Sequence, residues 1–175
     1  IQRGLLSLVN APGTGVADDK LVHAYVEEMI RFYLGQEPLV ESVRTFDLTR
    51  PDTLTKVIGR LSGLVIKPRT GHGGHGVFIG PHSTAAERTT VAQAVKAAPH
   101  RYVAQETVRL SRLPTVIEGR MEPRHIDLRV FSIGAGRRVT VLPAALTRVA
   151  LRSGSMIVNS SQGGGAKDTW IIAGD

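Results

Sequence analysis

The sequence predicts an α+β fold, and three observations carry that prediction. Apolar residues recur at three- and four-residue spacing in separate stretches, as in Leu21, Tyr25, Met29, Phe32 and Tyr33, and again in Leu54, Val57, Ile58 and Leu61. Short β-branched runs punctuated by glycine and proline follow them, such as Leu64–Ile66 and Val77–Ile79. From His125 to Ile133 the chain alternates, with Ile126, Leu128 and Val130 on one face and His125, Asp127, Arg129 and Phe131 on the other. A chain of 175 residues fits one domain or two small lobes and can bury a core.

In order, Gly4–Asn10 reads as a short buried strand and Asn10–Gly15 as a loop. Asp18 or Asp19 caps a helix with one buried face, which Gly35 ends. Ser42–Phe46 is a candidate strand, and Pro51 opens a second helix to about Arg60. Gly63 breaks that helix. Thr84 and Glu87 form a capping box for a helix from Ala85 to about Ala97, stopped by Pro99. Arg101–Glu106 is a strand. Leu113–Ile117, the Glu118-Gly119 turn and Arg120–Pro123 form a hairpin. Gly134-Ala135-Gly136 turns the chain into a strand at Arg138–Leu142. Ala144–Leu151 fits either element type, and Met156–Val158 reads as a short strand running into a polar glycine loop through Asp168.

The net charge is +7 and unevenly spread. Residues 1–60 carry seven Lys/Arg against eight Asp/Glu, residues 61–120 eight against three, and residues 121–175 seven against four. An anionic ligand follows from that excess. Nucleic acid is the weaker reading, because the cations are scattered singly and only 5% of residues are aromatic. With no cysteine there is no disulfide framework and no thiolate metal site, which suits a cytoplasmic protein. No apolar run approaches the roughly 18 residues that span a bilayer, and no signal peptide is visible. The first residue is Ile1 rather than methionine, so the chain is expected to be a piece of a longer protein.

The chemistry is expected first around Leu64–Gly80. Lys67 ends a β-branched run, and Gly71, Gly73, Gly74 and Gly76 follow within a short loop. Glycine opens backbone conformations that let several amides face one anion, and lysine adds a point charge. The plainer reading is a hairpin with a solvated lysine. Gln105 and Glu106 end a strand, where a glutamate can accept from a ribose hydroxyl; the plainer reading is an exposed strand end. Asp127 and Arg129 lie about 7 Å apart on one strand face and alone read as a structural ion pair. With a second polar glycine loop downstream at Asn159–Gly165, they also read as an oxygen ligand for Mg²⁺ and a fork for a terminal phosphate. Asn159–Asp168 is not a P-loop, because Ala166 precedes Lys167 and Asp168 follows it. Gly71–Gly76 satisfies G-x-G-x-x-G, but a strand follows instead of the helix that fingerprint needs. His72, His75, His82, His100 and His125 match no zinc spacing.

Taken together, Val65–Pro68 with the glycine loop, Val103–Glu106, Arg124–Arg129, Leu146–Ala150 and Val158–Trp170 resemble the ATP-grasp superfamily. The closer resemblance is to circularly permuted type 2 ATP-grasp proteins, relatives of the glutathionylspermidine synthetase group, and it extends to Val9-Asn10-Ala11 and Gly13–Val16. It implies two small α+β lobes with ATP and Mg²⁺ between them. Residues 1–62 would be the N-terminal part of the permuted fold, 63–110 the lobe with the glycine flap, and 111–175 the second lobe. By resemblance Lys67 contacts the phosphates and Gly71–Gly76 closes over them. Gln105 and Glu106 lie at adenine and ribose, Asp127 and Asn159 hold Mg²⁺, and Arg129 and Arg148 face the γ-phosphate or an acyl phosphate. Ile157 stands where many members have a metal-binding glutamate, which implies weaker ligation or another acid. The implied activity is carboxylate–amine ligation through an acyl phosphate, with a small-molecule or peptide carboxylate and an amine as substrates. The alternative is a nucleotide-binding or regulatory module of the same fold without turnover.

Overall fold

A computed structural model describes residues 5–6, 8–10, 12–71, 73–135, 138–158 and 163–172. The chain divides into two compact units, Ile1–Val108 and Arg109–Asp175.

The first unit is a four-stranded antiparallel sheet with helices on it. Its strands are β1 (Thr45–Asp47), β2 (Leu64–Pro68), β3 (Phe78–Ile79) and β4 (Tyr102–Glu106), in the order β1-β4-β2-β3. Helices α1 (Val26–Leu34), α2 (Pro51–Ile58) and α3 (Ala85–Ala97) complete it. Pro51 sits in the first turn of α2, where its missing N–H has no partner to lose. Thr84 and Glu87 form the expected capping box on α3: Glu87 N–H donates to Thr84 Oγ1 at 3.2 Å and Thr84 N–H to Glu87 Oε2 at 2.7 Å. The core is Leu48, Val57, Leu61, Leu64, Ile66, Val95 and Ala104, with Leu54, Val91 and Phe46 packed against it. Thus α2 and α3 cover one face of the sheet.

The second unit is an antiparallel meander of β5 (Arg112–Ile117), β6 (Arg120–Ala135), β7 (Arg138–Ala150) and β8 (Gly164–Lys167), paired in that order. Glu118 and Gly119, with φ of 49° and 77°, make the tight turn between β5 and β6. Register shifts between Val130 and Ser132, opposite the segment holding Pro143, which has no N–H for the ladder. Among the described residues the helices belong to the first unit, and none is long and apolar enough to cross a membrane.

Several local expectations change. The described part of Gly4–Asn10 forms no strand, and Leu5 and Val9 are exposed, because no strand pairs with them. The α1 segment begins as a 3-10 turn at Val22–Tyr25, and Gly35 ends it in the left-handed conformation as expected. Its apolar face is not buried: Phe32 and Tyr33 are 81% and 75% exposed. Met156–Val158 is not a strand. The polar glycine stretch instead contains β8, whose small residues allow close approach; a Cβ on Gly165 would lie 3.1 Å from Leu151 Cδ2. Ala144–Leu151, open between element types, continues β7 to Ala150, sandwiched between β6 and β8.

Candidate functional site

Strand register decides which side chains share a face. Leu64 pairs with Glu106, Ile66 with Ala104 and Pro68 with Tyr102, on the face that α2 and α3 cover. Val65 pairs with Gln105 and Lys67 with Val103 on the other face, and Thr45 stands opposite Gln105 there too. On that face Lys67 Nζ donates to Gln105 Oε1 at 2.5 Å. Gln105 Nε2 donates to Thr45 Oγ1 at 2.8 Å, and Thr45 Oγ1 donates to Val43 O at 2.9 Å. Burial holds the Lys67 ammonium below the usual lysine range, and the charge of Lys20 adds to the effect. Among the described residues no carboxylate forms an ion pair with Lys67. Glu106 lies by parity on the opposite face, with Arg60 at 3.7 Å and Arg44 at 4.0 Å.

The glycine loop leaves β2 beside Lys67. Gly71, Gly73, Gly74 and Gly76 all have positive φ, between 68° and 106°, which a side chain would strain. His72 lies outside the described residues. The base of the loop is fastened to the segment before α1. The Arg69 guanidinium forks onto the Asp19 carboxylate, with Nε 3.0 Å from Oδ1 and Nη2 on Oδ2. Arg69 Nη1 also donates to His100 O at 3.1 Å. Lys20 Nζ donates to Gly71 O at 2.8 Å and to Arg69 O at 3.4 Å. Lys20 therefore brings a second cation close to Lys67.

The fork of Arg69, helped by the Leu21 amide, holds the Asp19 carboxyl down at about 2, below its ordinary 3.8. A carboxyl lowered in the folded state stabilises the protein above 3.8 and loses that contribution as pH falls through about 2. Asp19→Asn is therefore expected to be less stable than wild type at neutral pH. The gap should narrow as pH falls from 3.8 towards 2. Thermal melts of both proteins across that range check it, and a gap independent of pH would rule the clamp out.

In the second unit, Asp127 on β6 and Arg148 on β7 are directly opposed in register. Arg148 Nε donates to Asp127 Oδ1 at 2.7 Å and its Nη2 to Oδ2, a fork-to-carboxylate pair. That contact raises the Arg148 guanidinium above its ordinary value. The arginine paired with Asp127 is thus the cross-strand one, while Arg129 is exposed. His125 takes a hydrogen bond from Arg112 Nε at Nε2, 2.9 Å, and its Nδ1 lies 2.8 Å from Ser155 O. An arginine donates only, so Nε2 accepts and Nδ1 carries the proton. Lys167 donates to Pro114 O and to Thr115 Oγ1, a structural role. Asn159 lies outside the described residues.

A sequence profile described as "Circularly permuted ATP-grasp type 2" matches residues 1–150. The chain belongs to that ATP-grasp family. It is 47% identical over 173 residues to an uncharacterised protein of Synechocystis, covering 99% of this chain and 36% of that protein. An uncharacterised Mycobacterium tuberculosis protein is 47% identical over 170 residues, covering 97% of this chain and 31% of its own length. The Frankia alni protein named "Putative glutamate--cysteine ligase 2-3" is 48% identical over 171 residues, covering 98% and 20%. The ATP-grasp chain thus spans between one fifth and about a third of these relatives.

Of the ATP-grasp residues expected from sequence, the fold brings Lys67 and Gln105 together beside the glycine loop, and Asp127 together with Arg148. Glu106 and Arg129 join neither pair. Sequence reasoning missed Thr45, Arg69 and Lys20; their partners lie 60, 50 and 51 residues away, so no local pattern signals them. Among the described residues no group of three or more His, Cys, Asp or Glu could hold a metal. Asp127 offers a single carboxylate. Mg²⁺ in nucleotide sites keeps several waters and takes one or two carboxylates together with phosphates, and both Asp127 oxygens already accept from Arg148, so Asp127 would meet a nucleotide-borne metal only through its remaining lone pairs.

Proposed function

We propose that this chain is the ATP-binding part of an ATP-dependent carboxylate–amine ligase that works through an acyl phosphate. What supports the reading most is Lys67, a half-buried ammonium bonded to a neutral oxygen, with no carboxylate partner among the described residues. Burying a charge without a counter-ion is unfavourable, and a phosphate supplies the missing anion. Lys67 and the amides around Gly71, Gly73, Gly74 and Gly76 take the phosphates. Asp127 and Asn159 hold Mg²⁺, which neutralises phosphate charge, while Glu106, on the other face of the sheet from Lys67, takes no part. Arg129 and Arg148 meet the γ-phosphate or the acyl phosphate, where a guanidinium fork suits the anion.

The reaction asks for positioning and charge neutralisation rather than a protein nucleophile. A carboxylate oxygen attacks the γ-phosphorus and ADP leaves. The amine nitrogen attacks the acyl carbon, phosphate leaves, and the nitrogen loses a proton as the amide forms. The Frankia name belongs to a protein of which this region is one fifth, so the substrates are assigned by class only.

Full-length protein with ATP and Mg²⁺ is expected to release ADP and phosphate only when both a carboxylate and an amine are added. ATP binding without such release across amino-acid and peptide substrates would favour a non-catalytic module. The pairing of Asp127 with Arg148 and the presence of Ile157 speak for that second reading.

A further inference from the structure

We propose that Gln105 is a positioning residue that aims Lys67 at the phosphates, with its amide held in one orientation by Thr45. This rests on the reading that Lys67 binds phosphate. Resemblance placed Gln105 at the adenine, but the residue is only 8% exposed and its side chain is engaged at both ends.

The direction of the chain of hydrogen bonds follows from donor and acceptor chemistry. The Val43 carbonyl only accepts, so the Thr45 hydroxyl gives its proton there, and its oxygen is left to accept from Gln105 Nε2. That turns the amide oxygen of Gln105 towards Lys67 Nζ. The flipped amide would set an NH₂ group against an ammonium. Each link is short, between 2.5 and 2.9 Å, and joins three strands or their flanks through β1, β4 and β2.

A glutamine is chemically suited to this task where a glutamate is not. A neutral carbonyl fixes the Nζ position while leaving the ammonium its full charge and two protons for an anion. A carboxylate would neutralise the charge in place and compete with phosphate. The helices on the opposite face keep β2 and β4 in register, so the reach of Lys67 is set by this contact rather than by strand movement.

Calorimetric titration of full-length protein with ATP, ADP and adenosine tests the assignment. Gln105→Glu is expected to weaken ATP and ADP binding by about ten-fold or more, an ion pair now holding Lys67, with adenosine affinity and the preference for ATP over GTP unchanged. Thr45→Val is expected to weaken ATP and ADP by about three- to ten-fold through amide misorientation, and Thr45→Ser to restore them. Equal loss of adenosine binding, or loss of the ATP-over-GTP preference in Gln105→Glu, would return Gln105 to the base edge and overturn the proposal. Unchanged ATP affinity in both Gln105→Glu and Thr45→Val would also overturn it. If Lys67→Met abolishes ATP binding while those two variants keep it, positioning alone fails. If Lys67→Met binds ATP normally, the phosphate reading itself fails.

Discussion

Replacing Lys67 with methionine is expected to weaken ATP binding by about 10- to 150-fold, since a hydrogen bond to a charged group contributes about 1.5–3 kcal/mol. Adenosine should bind as before. Stability should change little. The variant relieves the burial of an ammonium but leaves Gln105 Oε1 without a donor, which costs about 1–3 kcal/mol, so the two terms offset. The pH dependence separates them. Lys67 is lowered in the folded state from 10.5, so the unfolded chain holds its proton more tightly over the interval between the two values. Wild type should therefore gain stability relative to Lys67→Met as pH rises through that alkaline interval, while its ATP affinity falls. Urea unfolding and ATP titration of both proteins from neutral pH to 10.5 give the comparison. Equal ATP affinity in the two proteins would remove Lys67 from the site.

Gly80→Ala should have the largest effect on stability. A Cβ at that position would lie 1.8 Å from the Leu61 carbonyl oxygen and 2.6 Å from that of Leu64. Both obstacles are backbone, so no side chain can rotate away. Leu61 is in the 3-10 turn before β2 and Leu64 is its first residue, so any relief moves the strand that carries Lys67. A destabilisation of about 3–5 kcal/mol is expected, a large part of the roughly 5–15 kcal/mol of an ordinary domain. Gly134→Ala is the control. Nothing lies within 4 Å of its Cβ, and a change within about 0.5 kcal/mol is expected. A Gly80→Ala protein that melts with wild type would mean that the turn and the strand do not meet as described.

Much of the first unit was legible in sequence because its signals are local. Pro51 opens α2, Gly35 closes α1, and the Thr84–Glu87 box starts α3, each within a few residues of the effect. The Leu54, Val57, Ile58 and Leu61 stripe is the core stripe. Amphipathic spacing misled for α1, because periodicity reports a face that could be covered and not whether anything covers it; Phe32 and Tyr33 stay exposed. Composition misled for β8, where glycine and alanine suggest a loop but let a strand lie against Leu151. Family resemblance rested on residue identity along the chain, and the profile match over residues 1–150 bears it out.

The sequence by itself determined the α+β class and the family. These depend on spacing, composition and order, which survive without coordinates. Only the tertiary structure decided who meets whom. It paired Asp127 with Arg148 across two strands and left the nearer Arg129 exposed, because opposed residues of an antiparallel ladder meet and alternate residues of one strand stand about 7 Å apart. It joined Lys67 to Gln105 and Thr45, and Asp19 to Arg69, across dozens of residues. Contacts of that range are set by strand register, and register follows from how the buried faces pack, which no local window of sequence contains.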